Sequence, residues 1–313
     1  MAALTLVEAA KLANDNGETK RAAVIELYAM QSDIWGALRI DGITGNALSY
    51  TQEGDLPATA FRGVNEGWTA SNGNFNPQKE ALKIAGGDLD VDKFIIDTQG
   101  PQARSRHEAL KIKALSQNIT DEFLNGDEAS DPRTFDGLQL RLTGDQLIDN
   151  GSTSGGDPLS LLKLDQAIDN TASPTHLIMS RAMRRRLWQA TRSTSTGVAG
   201  NVAMEREELG KPIFAYGGLP ILVGYPKNKN TAILPFTESS PGGGSTGTSI
   251  YVVNFSEDGI VGITNGGMQV RDIGELDAQA VWRTRVEWYL SWVALNPYAG
   301  TRLWGISDAA VVA

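Results

Sequence analysis

Several groupings in the sequence carry residue types able to do chemistry. Gly243-Gly-Ser245-Thr-Gly247 spells the G-x-S-x-G pattern of a nucleophile elbow. That device needs a strand before the serine, a helix after it, and an acid and then a histidine later in the chain. Here a glycine-rich run precedes the serine and both histidines, His107 and His176, lie upstream, so the segment reads as a flexible loop. Asp88-Leu-Asp90-Val-Asp92 has the alternating carboxylates that open a calcium loop, but the sixth position is Lys93 rather than glycine and the intervening residues are apolar. A strand with its carboxylates toward water explains it. Gly210-Lys211 is followed by proline and lacks the upstream glycine of a phosphate-binding loop. With two histidines and no cysteine, a zinc site would need carboxylates from scattered places. No catalytic, cofactor-binding or metal-ligating residue is assigned, and no enzyme is expected.

The densest basic cluster is Arg181, Arg184, Arg185, Arg186 and Arg192, on a helix expected to start after Ser180. Met183 and Leu187, four apart, take one face, and the arginines fill most of the rest. They are expected to pair with Glu205-Arg-Glu-Glu208 of this or a neighbouring chain, with occasional phosphate contact as the sharper alternative. Exposed pairs of this kind are worth only about 0 to 1 kcal/mol each.

The rest of the chain must position whatever these groups do. It has 313 residues, a formal charge of −9, no cysteine and 41% hydrophobic residues. That excludes disulfides and thiolate metal sites and fits a globular protein of about two domains. The acidic balance argues against a dedicated nucleic-acid binder, whose affinity comes mostly from Lys and Arg neutralising phosphates. No segment approaches the ~20 apolar residues that span a bilayer. The first residues lack the basic and apolar regions of a secretory signal, so synthesis in the cytoplasm is expected.

Residues 1–48 read as a short helical arm in which Val24, Leu27 and Tyr28 repeat at helical spacing. Residues 49–96 are polar, glycine-punctuated and strand-like, an extended hairpin with too little apolar content to fold alone. A strut helix follows within 97–136, with Pro101 in its first turn, Ile112, Leu115, Ile119 and Phe123 on one face, and Asn125-Gly126 as its stop. Beyond it, Asp157-Pro158 suggests a helix start, Thr175–Met179 a strand, and Pro220–Gly224, Thr231–Phe236 and Ser249–Phe255 further strands. Asn265-Gly266 is a hairpin signal. From Ala278 to Trp292, Trp282, Thr284, Val286, Trp288, Leu290 and Trp292 alternate with charged or polar residues, a period of two sustained far beyond the usual five or six residues.

In that order, together with Phe135-Asp-Gly-Leu138, Pro174–Ser180, Gly218–Val223 and the Asn296-Pro297 turn, the chain resembles the major capsid proteins of tailed bacteriophages with the Hong Kong 97 fold. The resemblance implies an α+β fold: the arm, the extended loop 49–96, a peripheral domain from 97–136 and 271–313, and an inserted axial α/β domain at 137–270. It implies self-assembly into hexamers and pentamers of an icosahedral head, with the extended loop lying across a neighbouring subunit. Phe61, Arg62, Trp68 and Phe75, with Arg184 and Arg185, are the expected subunit interface. Some family members link this loop covalently through a lysine, but no lysine stands between Gly54 and Gln78, so a non-crosslinked shell is expected. A larger N-terminal scaffolding region is not seen, which implies a separate scaffolding protein. A portal, a decoration protein and packaged double-stranded DNA held without specific binding complete the implied partners. The implied location is the virion, after assembly in the host bacterial cytoplasm. Two rivals are an encapsulin-type nanocompartment shell and, in a different class, a small α/β hydrolase with a β-rich appendage.

Overall fold

A computed structural model describes residues 5–312 except 17, 55, 101, 193–201, 207–211 and 225–231. Three helices open it: α1 (Leu6–Asp15), α2 (Thr19–Gln31) and α3 (Asp33–Ala37). They lead into β1 (Ile40–Gly42), β2 (Ala47–Glu53), β3 (Phe75–Ala81) and β4 (Lys83–Asp92), then α4 (Lys93–Gln99) and the strut α5 (Gln102–Asn125). Next come α6 (Leu138–Arg141), β5 (Leu147–Asp149), α7 (Leu161–Asp169), β6 (His176–Ser180), α8 (Arg181–Ala190), β7 (Val202–Arg206), β8 (Pro212–Tyr216) and β9 (Leu219–Gly224). Five strands end the chain: β10 (Thr248–Val253), β11 (Ile260–Thr264), β12 (Gln269–Leu276), β13 (Gln279–Ala294) and β14 (Gly300–Ile306).

The alternating stretch is β13, and it organises one sheet. β4 lies along one part of it, from Lys83 opposite Leu290 to Asp92 opposite Val281. β11 pairs with residues 290–294 and β12 with 279–287, both antiparallel, and β1 joins the outer edge of β11. The Asn265-Gly266 signal is therefore not a hairpin, because β11 and β12 follow one another along β13 instead of pairing. The even residues from Thr284 to Trp292 are buried under the arm and the strut. Tyr28 meets Trp288 edge-on at 5.2 Å, Trp35 meets both Trp288 (5.6 Å) and Phe123 (5.5 Å), and Phe123 meets Trp292 at 5.3 Å. This cluster explains why a helix from early in the chain and a strand from its end are both long: each must cover the other. Val24 and Tyr28 are buried in it as the spacing predicts, while Leu27 faces out.

Local chemistry fixes the element ends. Thr5 and Glu8 form a capping box on α1, with the Glu8 carboxylate 2.8 Å from the Thr5 N–H. Those hydrogen bonds to Thr5 hold the Glu8 carboxyl below its ordinary pKa. The strut stops at Gly126 because Phe135-Asp-Gly-Leu138 folds back on it. The Gly137 N–H donates to Gly126 O at 2.8 Å, Phe135 and Leu138 are buried, and a Cβ on Gly126 would fall 2.4 Å from Phe135 O. The helix after Asp157-Pro158 starts later than expected, at Leu161. The Asp157 carboxylate instead accepts from Thr153 N at 3.0 Å, and its backbone bridges to Ile306.

The second sheet runs β5-β14-β10-β6-β9-β8-β7, with α7 and α8 on a separate buried cluster that includes Leu164, Met183, Leu187 and Leu303. Two boundaries expected from sequence move. β14, from the C-terminal return, is central in this sheet between β5 and β10, and β11, expected inside the inserted domain, belongs to the β13 sheet. The expected strand at Thr231–Phe236 is not one: Thr231 lies outside the described residues, and Ile233 and Leu234 are buried without strand pairing. The Gly243–Gly247 loop is tethered, with Gly155 N donating to Gly243 O at 2.8 Å and Glu238 paired with Gly247.

Candidate functional site at the projecting hairpin

β2 and β3 pair from Ala47 opposite Ala81 to Glu53 opposite Phe75, in a two-stranded sheet of their own. Because β4 belongs to the β13 sheet, the free excursion is 47–81, shorter than the expected 49–96. Its base is held by chemistry as well as packing. Glu80 accepts from Ser291 Oγ at 2.7 Å and pairs with Arg141 at 2.8 Å, both side chains mostly buried. The Arg141 guanidinium lies 4.1 Å from the Trp292 ring and donates to Trp292 O, and Gln52 Nε2 donates to Ala294 O at 2.7 Å. Leu48, Tyr50 and Leu82 pack on Val261, Ile263 and Val293, and burial raises the Tyr50 phenol above its ordinary pKa. A cavity of about 350 Å³ remains between the hairpin base and the body, lined by Tyr50, Gln52, Glu80, Arg141 and Trp292 among others.

Past Gly54 the pairing ends, and the segment expected to be strand-like at Thr59–Gly63 has no regular structure. Polar bonds within the tip are sparse: Ala58 N to Ser71 Oγ (2.9 Å), Gly63 N to Glu66 Oε2 (2.7 Å) and Arg62 Nη1 to Glu66 O (2.8 Å). The Arg62 guanidinium stands 5.7 Å from the Trp68 ring. Among the described residues no core lies beneath. Phe61 is fully exposed at 105%, Trp68 is 64% exposed, and Leu56, Val64 and Phe75 are also exposed. Full burial of a Phe-sized side chain is worth roughly 1.5–3 kcal/mol, so the tip withholds several such terms from the subunit's own fold.

The structure thus brings Phe61, Arg62, Trp68 and Phe75 onto one excursion and leaves Arg184 and Arg185 elsewhere, on α8. Sequence reading missed Glu80, Arg141 and Gln52, which set the hairpin on the body. No spacing could have found them, because their partners are 211, 151 and 242 positions away. The carboxylates of 88–92 are not simply turned to water. Asp90 is bidentate with Arg283 and Asp88 with Arg285, all at 2.6–2.8 Å across the β4–β13 register, and these hydrogen bonds hold both carboxyls below the usual range. His107 is exposed on α5, and His176 sits on β6 against Phe255 at 5.4 Å, its pKa lowered to about 4 by burial. Gly210-Lys211 and Glu207-Glu208 lie outside the described residues, as does Pro101.

A family model described as "Major capsid protein GP7" matches residues 15–162, the segment that holds α2, the hairpin and the strut. The structure of the holo-SrpI encapsulin complex from Synechococcus elongatus PCC 7942 is similar at TM-score 0.62 and 19% identity, covering 88% of each chain. A structure from Mycobacterium phage Adephagia is similar at TM-score 0.62 and 11% identity, over 89% of this chain and 90% of that one. The capsid of an empty GTA particle follows at 0.59 and 9%, over 88% and 90%. The chain has a Hong Kong 97-like capsid fold. No curated protein matches it in sequence. Within the capsid fold, β13 and β14 lie outside the matched family segment and rest on structural likeness alone.

Proposed function

We propose that the chain builds the shell of an icosahedral phage head from hexamers and pentamers, with the hairpin 47–81 seated on a neighbouring subunit. One observation carries this reading. A long hairpin is firmly anchored at its base, yet its tip presents Phe61, Trp68 and Phe75 to solvent with no core of its own. Large apolar side chains gathered on one segment and left uncovered fit a surface that another protein covers. In this account Phe61, Arg62, Trp68 and Phe75 make the subunit contact. The sheet of β5–β10 with β14 is the axial domain, and the β13 sheet with the strut is the peripheral one. The absence of lysine from 54–78 supports a shell held without covalent links. A separate scaffolding protein, a portal, an optional decoration protein, assembly in the host cytoplasm and double-stranded DNA inside complete the proposal, with no enzymatic role. Electron microscopy of the purified protein tests it: closed icosahedral shells are expected, and a monomer by light scattering under all conditions overturns it. A second reading, an encapsulin-type compartment, is favoured by the likeness to the SrpI encapsulin. Protein cargo inside the shell, in place of DNA, would select it.

A further inference from the structure

A cleft under the N-terminal arm matches the uncovered hairpin tip in size and chemistry. It lies between α1, α2 and the turn that joins β11 to β12, and it encloses a cavity of about 280 Å³. Leu6, Ala13, Ile25, Ile40, Met268 and Trp288 line it, all of them buried. At its mouth stand Leu12, 52% exposed, and the exposed Asn16. The polar groups along its wall are already partnered. Arg21 donates from Nε to Met268 O and from Nη2 to Gly266 O, both at 2.9 Å, and pairs with Glu18. Trp288 Nε1 donates to Thr264 Oγ1 at 3.0 Å, and Thr264 Oγ1 donates to Tyr289 O at 2.7 Å. What the cleft offers a ligand is therefore apolar surface.

The chain's own tip is directed away from this cleft. Trp288 and Leu290 face the arm, whereas the hairpin base packs on Val261, Ile263 and Val293, on the other face of the sheet. Along that face the hairpin runs outward, from Glu80 at Ser291 to Gln52 at Ala294, and the tip lies beyond. The cleft sits at Trp288, in the opposite direction. A knob and a hole at separate places on one chain make a head-to-tail contact, and such contacts generate closed rings when the rotation between copies closes.

We infer, resting on the reading of the chain as a shell subunit, that the cleft under α1 receives the hairpin tip of a second copy, with Trp68 entering the cavity and Phe61 lying against Leu12. An apolar cavity of about 150 Å³ is enough to bind benzene. One of about 280 Å³ has room for the larger indole. On the tip, Leu56, Phe61, Val64 and Trp68 are all uncovered, and on the receiving side so is Leu12. Docking takes both sets out of water at once, which is the favourable term in such an association. An amphipathic helix of another protein would cover Leu12 but leave the tip of every copy bare. A single contact between copies covers both.

The chain has no cysteine, so single introduced cysteines report contact between copies. Asn16→Cys marks the mouth of the cleft. Gly67→Cys marks the tip beside Trp68, where an added Cβ meets nothing within 4 Å, and Ser105→Cys, on the exposed side of the strut, is the control. Full-length subunits carrying one cysteine each are mixed in pairs, assembled, treated with a short bismaleimide and run on a denaturing gel. Asn16→Cys with Gly67→Cys should give dimers well above either variant alone, and Ser105→Cys with Gly67→Cys should give only background. No excess of dimer in the first pair, or an equal excess in both, overturns the inference. Leu12→Asp, at an exposed position, should lose most shells in the electron microscope at an unchanged melting temperature; if it lowers the melt, the milder Leu12→Ser is read in its place. Full shell yield in the variant read also overturns the inference. Normal shells without the cross-link leave the shell reading standing and remove the docking alone. Wild type that forms no shells removes the shell reading, and the cross-link is then read on the soluble protein, where the mixed dimer upholds the contact and its absence overturns it.

Discussion

Two regions of this molecule use the same aromatic residues to opposite ends. Under the arm and the strut, Trp35, Phe123, Trp288 and Trp292 touch one another and are almost wholly buried. On the hairpin tip, Phe61, Trp68 and Phe75 touch almost nothing and face solvent. The first set stabilises the subunit; the second lies outside its core. Composition could not separate the two. What separates them is register: the buried set repeats with the period of a strand or helix, and the exposed set stands in a glycine- and asparagine-rich segment with no period.

The largest expected effect breaks the buried side of the comparison. Trp292→Ala removes a ring that contacts Phe123, carries Arg141 on its face and donates to Asp136 O at 3.0 Å. It should cost about 3–5 kcal/mol in subunit stability by urea denaturation. A loss below about 1 kcal/mol would mean the cluster is not the core.

Next in size is a pH effect confined to the buried region. His176 has its pKa lowered to about 4 because burial disfavours its charged form, so the folded protein binds fewer protons than the unfolded chain between about pH 4 and 6.5. Stability is fully present above about 6.5, falls as pH drops toward 4, and loses nothing further from this group below that. The total is on the order of 3 kcal/mol. His176→Phe should remove this slope from a plot of stability against pH, while hairpin substitutions should leave it untouched. Asp88 and Asp90 act at lower pH, where protonation through their depressed pKa values loses the bonds to Arg285 and Arg283.

A smaller effect sits on the boundary between the two regions. Glu80→Gln keeps the size of the side chain but discharges the group that joins Arg141 to Ser291 at the hairpin base. It should cost about 1–3 kcal/mol. Amide exchange should rise in 47–53 and 75–81 before it rises in α5, and uniform exchange across both would contradict an independent hinge.

How much was legible beforehand follows the same division. The strut, β13, and the strand and capped helix at 176–190 are set by local period or caps, and each is where the sequence implies; the projecting hairpin is present but shorter than implied, because β4 pairs with β13. Asn265-Gly266 misled because a turn signal specifies local backbone, not which strands pair; both flanking strands found a longer partner in β13. Asp157 misled because a non-local bridge to Ile306 outcompeted its capping role. β14 entered the second sheet through pairings with β5 and β10 that no local pattern encodes. The hairpin residues were legible as apolar residues without a core, whereas the Glu80, Arg141 and Gln52 anchors were not, since each exists only across long separations in sequence.

The smallest expected effect on the subunit is also the most telling. Trp68→Ala and Phe61→Ala should each shift subunit stability by no more than about 0.5 kcal/mol, as surface changes do. The direct test of the central claim is shell yield by electron microscopy for the Phe61→Ala/Trp68→Ala double variant, measured beside its melting temperature. An unchanged melt with shells largely lost is the predicted result. Full shell yield at an unchanged melt would contradict the assignment of the hairpin tip to contact between subunits.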